Sequence, residues 1–153
     1  MPIIRIEENI HASIQICFDL SRNIDLHMQS TAHTKEKAVS GVTSGLINLN
    51  ETVTWEAVHL GVPFSLTSKI TQFVYPYYFV DEMVEGPFKR FKHEHFFVDC
   101  QSATKVIDIF DYNSPMGILG DIFDHVYLAN YMRQFLSTRL LYLKKYAESE
   151  RDL

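Results

Sequence analysis

The C-terminal part of the chain carries the feature that most constrains its fold, a predicted helix over residues 118–148 with a very wide apolar face. One apolar row recurs at steps of three and four: Leu119, Ile122, Val126, Ala129, Met132, Leu136, Leu140 and Leu143. An aromatic row runs beside it: Phe123, Tyr127, Tyr131, Phe135, Tyr142 and Tyr146. A face this wide needs a broad, concave partner, because a coiled-coil partner covers only a narrow seam.

The segments before this helix predict a sheet that supplies such a partner. Residues 3–9 form the first predicted strand, and Ser13 and Asn23 are predicted to cap short helices over 14–21 and 24–30. The apolar period then changes to two in six segments: 36–40, 52–60, 64–73, 77–85, 88–100 and 103–112. The connections that contain Gly or Pro are short, so successive strands should be antiparallel. We therefore predict an α+β fold, in which a twisted meander of six antiparallel strands can curl around the long helix.

Composition and charge narrow the function classes. The chain has 153 residues, so we expect a single domain over residues 1–148 and a solvated tail over 149–153. The net charge is −5 and no long basic run is present, which argues against nucleic acid as a partner. We find no secretory apolar run and no stretch long enough to span a membrane, so we expect a cytoplasmic protein without stable membrane insertion. The two cysteines lack metal-type spacing and are expected to be free thiols.

Two strands separate their faces clearly. In the segment 88–98 one alternate set is charged, and the other, predicted to face the interior, holds Phe91, His93, His95 and Phe97. In the segment that begins at Thr52, Trp55 and His59 are predicted to face the same way. Aromatic and imidazole groups therefore share the concave side of the sheet, where Trp55 would be either core or cavity wall.

His93 and His95 are the sharpest local signal, because residues two apart on a strand project to the same side. A zinc site needs a third protein ligand, and His59 lies two strands away in a simple meander. We therefore expect no metal and no cofactor. The two imidazoles are either satisfied by neighbours in the cavity wall or anchor the polar end of a ligand.

Asp81 and Asp108 are candidate partners for these histidines, and strand register decides whether they face inward. A two-residue turn at Gly86-Pro87 pairs Val80 with His93 and leaves Asp81 on the outer face. One extra residue in the turn, or a bulge, places Asp81 inside. Asp108 has the same ambiguity, and an inward carboxylate would orient an imidazole that acts as a general base.

Several phrases of the sequence resemble the START-like, or Bet v 1-like, superfamily, which is also called SRPBCC. They are 41–46 (GVTSGL), 86–88 (GPF), 93–96 (HEHF) and 112–115 with Gly117, Leu119 and Gly120. The resemblance covers nearly the whole chain and is best in a bacterial branch of ligand-binding proteins. It implies a helix-grip fold, in which a curved seven-stranded antiparallel sheet wraps around the C-terminal helix, with a deep cavity for a hydrophobic small molecule. Relatives range from lipid, sterol and quinone carriers to polyketide cyclases, so the fold does not settle the chemistry.

Three hypotheses follow. In the first, the chain binds, and transports or sequesters, a hydrophobic or amphipathic molecule such as a lipid, a quinone or a polyketide-like compound. Its candidate binding residues are Trp55, His59, Phe91, His93, His95, Phe97, Phe123 and Val126. In the second, the same cavity catalyses a cyclisation or dehydration, with candidate catalytic residues His93, His95, Asp81 and Asp108. In the third, the outer face of the sheet or the tyrosine-rich helix edge docks another protein, and a homodimer would be one form of it.

Overall fold

A computed structural model describes residues 3–114, 122–123 and 127–151, without the side chains of residues 150 and 151. The predicted start of the long helix, with Leu119 and Val126, lies outside the described residues. Among the described residues, no helix is long and apolar enough to cross a membrane.

The order of elements confirms the predicted α+β class. The strands are β1 Ile3–Ile10, β2 Lys37–Gly41, β3 Thr52–His59, β4 Val62–Val74, β5 Tyr78–Glu85, β6 Arg90–Asp99 and β7 Thr104–Asn113. The helices are α1 Ile14–Ser21, α2 Ile24–Ser30 and α3 Ala129–Arg151, with an unpredicted 3-10 turn at Ala32–Thr34. Both predicted caps are present. Ser13 Oγ accepts from the backbone N–H of Ile16 at 3.2 Å, and Asn23 Oδ1 accepts from Leu26 N–H at 3.0 Å.

The seven strands form one antiparallel sheet in the order β1-β7-β6-β5-β4-β3-β2. The meander from β2 to β7 is the predicted one, and β1 completes the sheet by pairing with β7 from Ile3↔Asp111 to Ile10↔Thr104. Helix α3 packs against β1, α1 and α2 on the inner side of the sheet. This is the helix-grip architecture that the resemblance implies.

The apolar face of α3 is divided between two hydrophobic clusters. Leu140, Leu143 and Ala147 are buried together with Cys17 and Phe18 of α1, which anchors the C-terminal half of the helix. Leu136 belongs to a second cluster with a different set of residues: Ile4, Phe91, Phe110 and Tyr112. The helix is therefore tightly packed toward its C-terminal end and borders aromatic side chains toward the other.

Strand register places both acidic candidates on the inner face. The connection from β5 to β6 spans residues 86–89, and the register of the two strands differs by one residue from that of a two-residue turn at Gly86-Pro87. Asp81, rather than Val80, therefore lies opposite His93. Asp108 of β7 lies opposite His95. Residues directly opposite on antiparallel strands point to the same face, so these four side chains converge.

Candidate ligand-binding cavity

A cavity of about 380 Å³ lies between the inner face of the sheet and the N-terminal half of α3. Its wall is mostly aromatic and aliphatic, and includes Phe64, Leu66, Phe88, Phe91, Phe110, Met132 and Phe135. This volume lies within the range of small-molecule sites, which are typically about 300–1,000 Å³. The cavity can therefore enclose the apolar body of a small ligand.

One end of the cavity is polar. Its lining there includes His27, Glu36, Ser68, Asp81, His93 and Arg139. These side chains come from α2, the segment before β2, the central strands and α3, so the fold brings together residues that are far apart in sequence. Polar groups gathered at one part of an apolar cavity orient a ligand by its polar part.

His93, His95, Asp81 and Asp108 form a compact cluster beneath this polar end. His95 lies between two carboxylates, with Nε2 at 2.8 Å from Asp81 Oδ2 and Nδ1 at 3.0 Å from Asp108 Oδ1. His93 is farther from both, with Nδ1 at 4.0 Å from Asp81 Oδ2 and Nε2 at 4.0 Å from Asp108 Oδ2. The centroids of the two imidazole rings lie 4.0 Å apart, so the rings are in direct contact.

The two histidines differ in charge because their partners differ. Burial by itself would lower the pKa of His95, but the carboxylates of Asp108 and Asp81 outweigh it and raise the pKa to about 9. Burial, together with the charges of His95 and Arg139, lowers the pKa of His93 well below its usual value of 6.5. At neutral pH His95 is therefore an imidazolium held by two carboxylates, and His93 is a neutral imidazole.

A second polar cluster joins α2 to α3. Arg139 Nη2 donates to His27 Nδ1 at 2.6 Å, so the proton of this imidazole is on Nε2, which donates to Glu36 Oε1 at 2.8 Å. Neither His27 nor Glu36 nor Arg139 was a candidate from the sequence. A signal for Arg139 exists, because it lies three residues after Leu136 and four before Leu143, within the apolar row of the helix. A charged residue in such a row indicates a polar partner in the interior.

The structure brings most of the sequence-predicted binding residues together. Trp55, His59, Phe91, His93 and Phe123 line the cavity. His59 lies on β3, which is separated from β6 by β4 and β5. Its Nδ1 is hydrogen-bonded to the hydroxyl of Tyr131 at 2.6 Å. Trp55 is both buried core and cavity wall, so the two alternatives for this residue coincide.

Three candidates have other positions. His95 is not among the described residues that line the main cavity. It lies behind the lining residues His93 and Asp81 and contacts both. Phe97 packs into the core, with ring centroids 5.2 Å from Phe18 and 6.0 Å from Phe79, because α1 covers the inner face of the sheet at that end. Phe97 is thus part of the core and is not among the described residues that line this cavity. Val126 lies outside the described residues.

The chain matches a protein-family model over about two thirds of its length. The family model described as polyketide cyclase/dehydrase and lipid transport matches residues 25–126. This segment contains β2 to β7 and the polar cluster of histidines and aspartates. No curated protein sequence matches the chain closely enough to count as a relative.

Solved structures share the fold over nearly the whole chain. The protein TTHA0849 from Thermus thermophilus is 16% identical, with a TM-score of 0.80, and the match covers 97% of this chain and 99% of that one. A START superfamily protein from Mycobacterium smegmatis is 11% identical, with a TM-score of 0.72 and coverage of 96% and 97%. The Zhui aromatase/cyclase from Streptomyces sp. R1128 is 12% identical, with a TM-score of 0.72 and coverage of 96% and 93%. At such identities the likeness concerns the fold alone.

Proposed function

Because the chain belongs to the polyketide cyclase/dehydrase and lipid transport family, within the SRPBCC superfamily, we propose that it binds a hydrophobic or amphipathic small molecule in the cavity between sheet and α3. The observation that carries this proposal is a cavity of about 380 Å³ with apolar walls and polar groups at one end. The ligand would be a lipid, a quinone or a polyketide-like compound, carried or sequestered in the cytoplasm.

The proposed ligand lies with its apolar body against Phe91, Phe123 and Trp55. Its polar part points toward His93, which lines the cavity, with His95 behind it. Burying an apolar surface is favourable by about 25 cal/mol per Å², so the aromatic wall supplies most of the affinity. The polar end then selects the orientation and the chemical class of the ligand.

Native mass spectrometry of the purified protein tests this function directly. We expect a bound small molecule that is retained under gentle conditions and released on mild denaturation. Trp55 is the single tryptophan and borders the cavity, so its emission should change when a neutral apolar fluorophore such as N-phenylnaphthylamine binds. A protein with no retained molecule, and with unchanged Trp55 emission across a panel of apolar probes, would contradict the proposal.

Acid–base catalysis of a cyclisation or dehydration is a second candidate function. The observation that favours it is the hydrogen bonding of His95 by Asp81 and Asp108, next to a second imidazole that borders the cavity. Oriented imidazoles of this kind serve as general acids or bases. Once a substrate is identified, His93→Ala and His95→Ala should each abolish turnover. His95→Ala should also lower the melting temperature, because it leaves the carboxylates of Asp81 and Asp108 without their imidazolium. Full activity in both variants would exclude this function.

A further inference from the structure

We propose that Asp81, His93 and His95 form a binding site for a divalent first-row transition-metal ion such as Zn²⁺. One nitrogen of each imidazole and one carboxylate oxygen lie within 4.8 Å of one another. Metal–ligand bonds of about 2.0–2.2 Å hold neighbouring ligand atoms about 3–3.5 Å apart, so small side-chain rotations complete the site. The sequence alone offers no third ligand close to the two histidines, and the pairing of β5 with β6 supplies Asp81.

Asp108 provides the support that metal-binding histidines require. Such histidines usually donate their second ring N–H to a carboxylate, which fixes the tautomer and the ring orientation. Asp108 Oδ1 lies 3.0 Å from His95 Nδ1, and Asp108 Oδ2 lies 4.0 Å from His93 Nε2. His93 Nε2 is buried and has no hydrogen-bond partner among the described residues, so Asp108 Oδ2 is the carboxylate oxygen placed to accept from it after a small rotation. The Asp108 carboxylate thus faces one nitrogen of each ring, and the other two nitrogens, His95 Nε2 and His93 Nδ1, are left to bind the ion.

The charges around the polar end also favour a cation. The carboxylates of Glu36 and Asp81 line this end, and that of Asp108 lies behind it against His95. Arg139 is the one guanidinium that lines the cavity among the described residues. With both imidazoles neutral, as metal ligands are, two negative charges remain uncompensated. A divalent ion neutralises them. When it binds, the proton shared by His95 Nε2 and Asp81 Oδ2 is released to the solvent.

Three protein ligands leave at least one coordination position open. Because Asp81 and His93 line the cavity, this position faces the space in which the small molecule would bind. Water, or a carbonyl, enolate or hydroxyl oxygen of the ligand, can occupy it. That last step rests on the proposed function, whereas metal binding itself does not. The metal uses the imidazoles that a general base would need, so the metal-bound and acid–base states exclude each other.

The test uses the full chain, stripped with a chelator and titrated with Zn²⁺ alone by calorimetry. We expect one ion per chain with a dissociation constant in the micromolar range or tighter. Co²⁺ should give visible absorption bands that Zn²⁺ removes by competition. Asp81→Ala, His93→Ala and His95→Ala should each weaken binding at least tenfold, and Asp108→Asn about 10–100-fold as a supporting residue.

His33→Ala and Glu94→Gln are the matched controls. His33 is exposed on the 3-10 turn, and Glu94 lies between the two histidines but bonds to Tyr78 on the other face. Both controls should bind Zn²⁺ as the unaltered chain does.

The proposal is overturned if the unaltered chain takes up no stoichiometric metal, or if folded His93→Ala and His95→Ala bind it with unchanged affinity. If a variant does not fold, the Co²⁺ spectrum of the unaltered chain still tests whether the metal binds. Apolar-probe binding is measured separately, so failure of the metal site does not imply failure of the cavity.

Discussion

Trp55 and His27 stack face to face, with ring centroids 4.1 Å apart and planes inclined by 22°. The imidazole is also bonded at both nitrogens, to Arg139 and to Glu36. Trp55 of β3, Arg139 of α3 and Glu36 therefore hold the imidazole in one orientation, and its two hydrogen bonds fix one tautomer. Burial, reinforced by the charge of Arg139 and only partly opposed by Glu36 and Asp81, lowers the pKa of His27 below 6.5.

This lowered pKa predicts a loss of stability in mild acid. Below pH 6.5 the unfolded chain protonates His27 while the folded chain keeps it neutral, so the unfolded state binds more protons. The contribution of His27 to the free energy of unfolding is present above pH 6.5 and is lost as the pH falls below it. Urea unfolding at about pH 8 and about pH 5.5 measures the change.

His27→Gln is the matched variant, because the amide keeps a donor and an acceptor but does not titrate in this range. The difference in unfolding free energy between the unaltered chain and the variant should be large at the higher pH and smaller at the lower one. Other buried histidines titrate in both proteins and cancel in the comparison. An equal difference at the two pH values would show that His27 titrates alike in the folded and unfolded chains.

A larger side chain at Ala57 should block the cavity. Ala57 is buried and lines the cavity wall on β3. Ala57→Phe projects a ring into the space that the ligand needs, and we expect at least a tenfold loss of affinity for N-phenylnaphthylamine. Fluorescence titration gives the affinity, and overpacking should cost no more than about 1–3 kcal/mol of stability.

The neighbouring residue is the control for this variant. Val58 is 41% exposed on the outer face of the same strand, so Val58→Phe adds the same ring outside the cavity. It should leave probe affinity unchanged. Equal affinity losses in the two variants, or none in Ala57→Phe, would place the probe elsewhere on the protein.

Leu140 and Leu141 test the anchoring of α3. Leu140 is 4% exposed in the core cluster, whereas Leu141 is 47% exposed. Leu140→Ala should lower the free energy of unfolding by about 2–5 kcal/mol, because it removes buried methyl groups and leaves a void. Leu141→Ala should stay within about 0.5 kcal/mol of the unaltered chain. Urea unfolding followed by circular dichroism gives both values, and similar losses would contradict the described face of the helix.

Much of the fold is predictable because local signals agree with each other. Ser13 and Asn23 each precede a helix that starts at the next residue, as capping predicts. Strict alternation in β6 assigns His93 and His95 to the buried face, and the short connections fix the antiparallel order of the strands. The long apolar helix then requires the concave sheet that these strands build.

The site is less predictable because it depends on distances that no local pattern contains. The position of Asp81 depends on a single residue in the turn after β5, and one residue reverses the face. Arg139 and His27 meet only because α2 and α3 pack together, and their residues are more than a hundred positions apart. For Phe97, alternation predicts the correct face of the sheet but cannot tell that α1 covers that end of it.

Phe91 and Phe97 share a face of β6, and the structure predicts different effects on probe binding when each is shortened. Phe91 lines the cavity, so Phe91→Leu should weaken probe binding about two- to thirteenfold by removing an aromatic contact worth about 0.5–1.5 kcal/mol. Phe97 packs against Phe18 in the core, so Phe97→Leu should lower the free energy of unfolding by roughly 1–3 kcal/mol and leave the affinity of the folded protein unchanged. Fluorescence titration and urea unfolding on the same samples separate the two effects. If Phe97→Leu weakened probe binding as much as Phe91→Leu, the ligand would reach beyond the cavity into the region beneath α1.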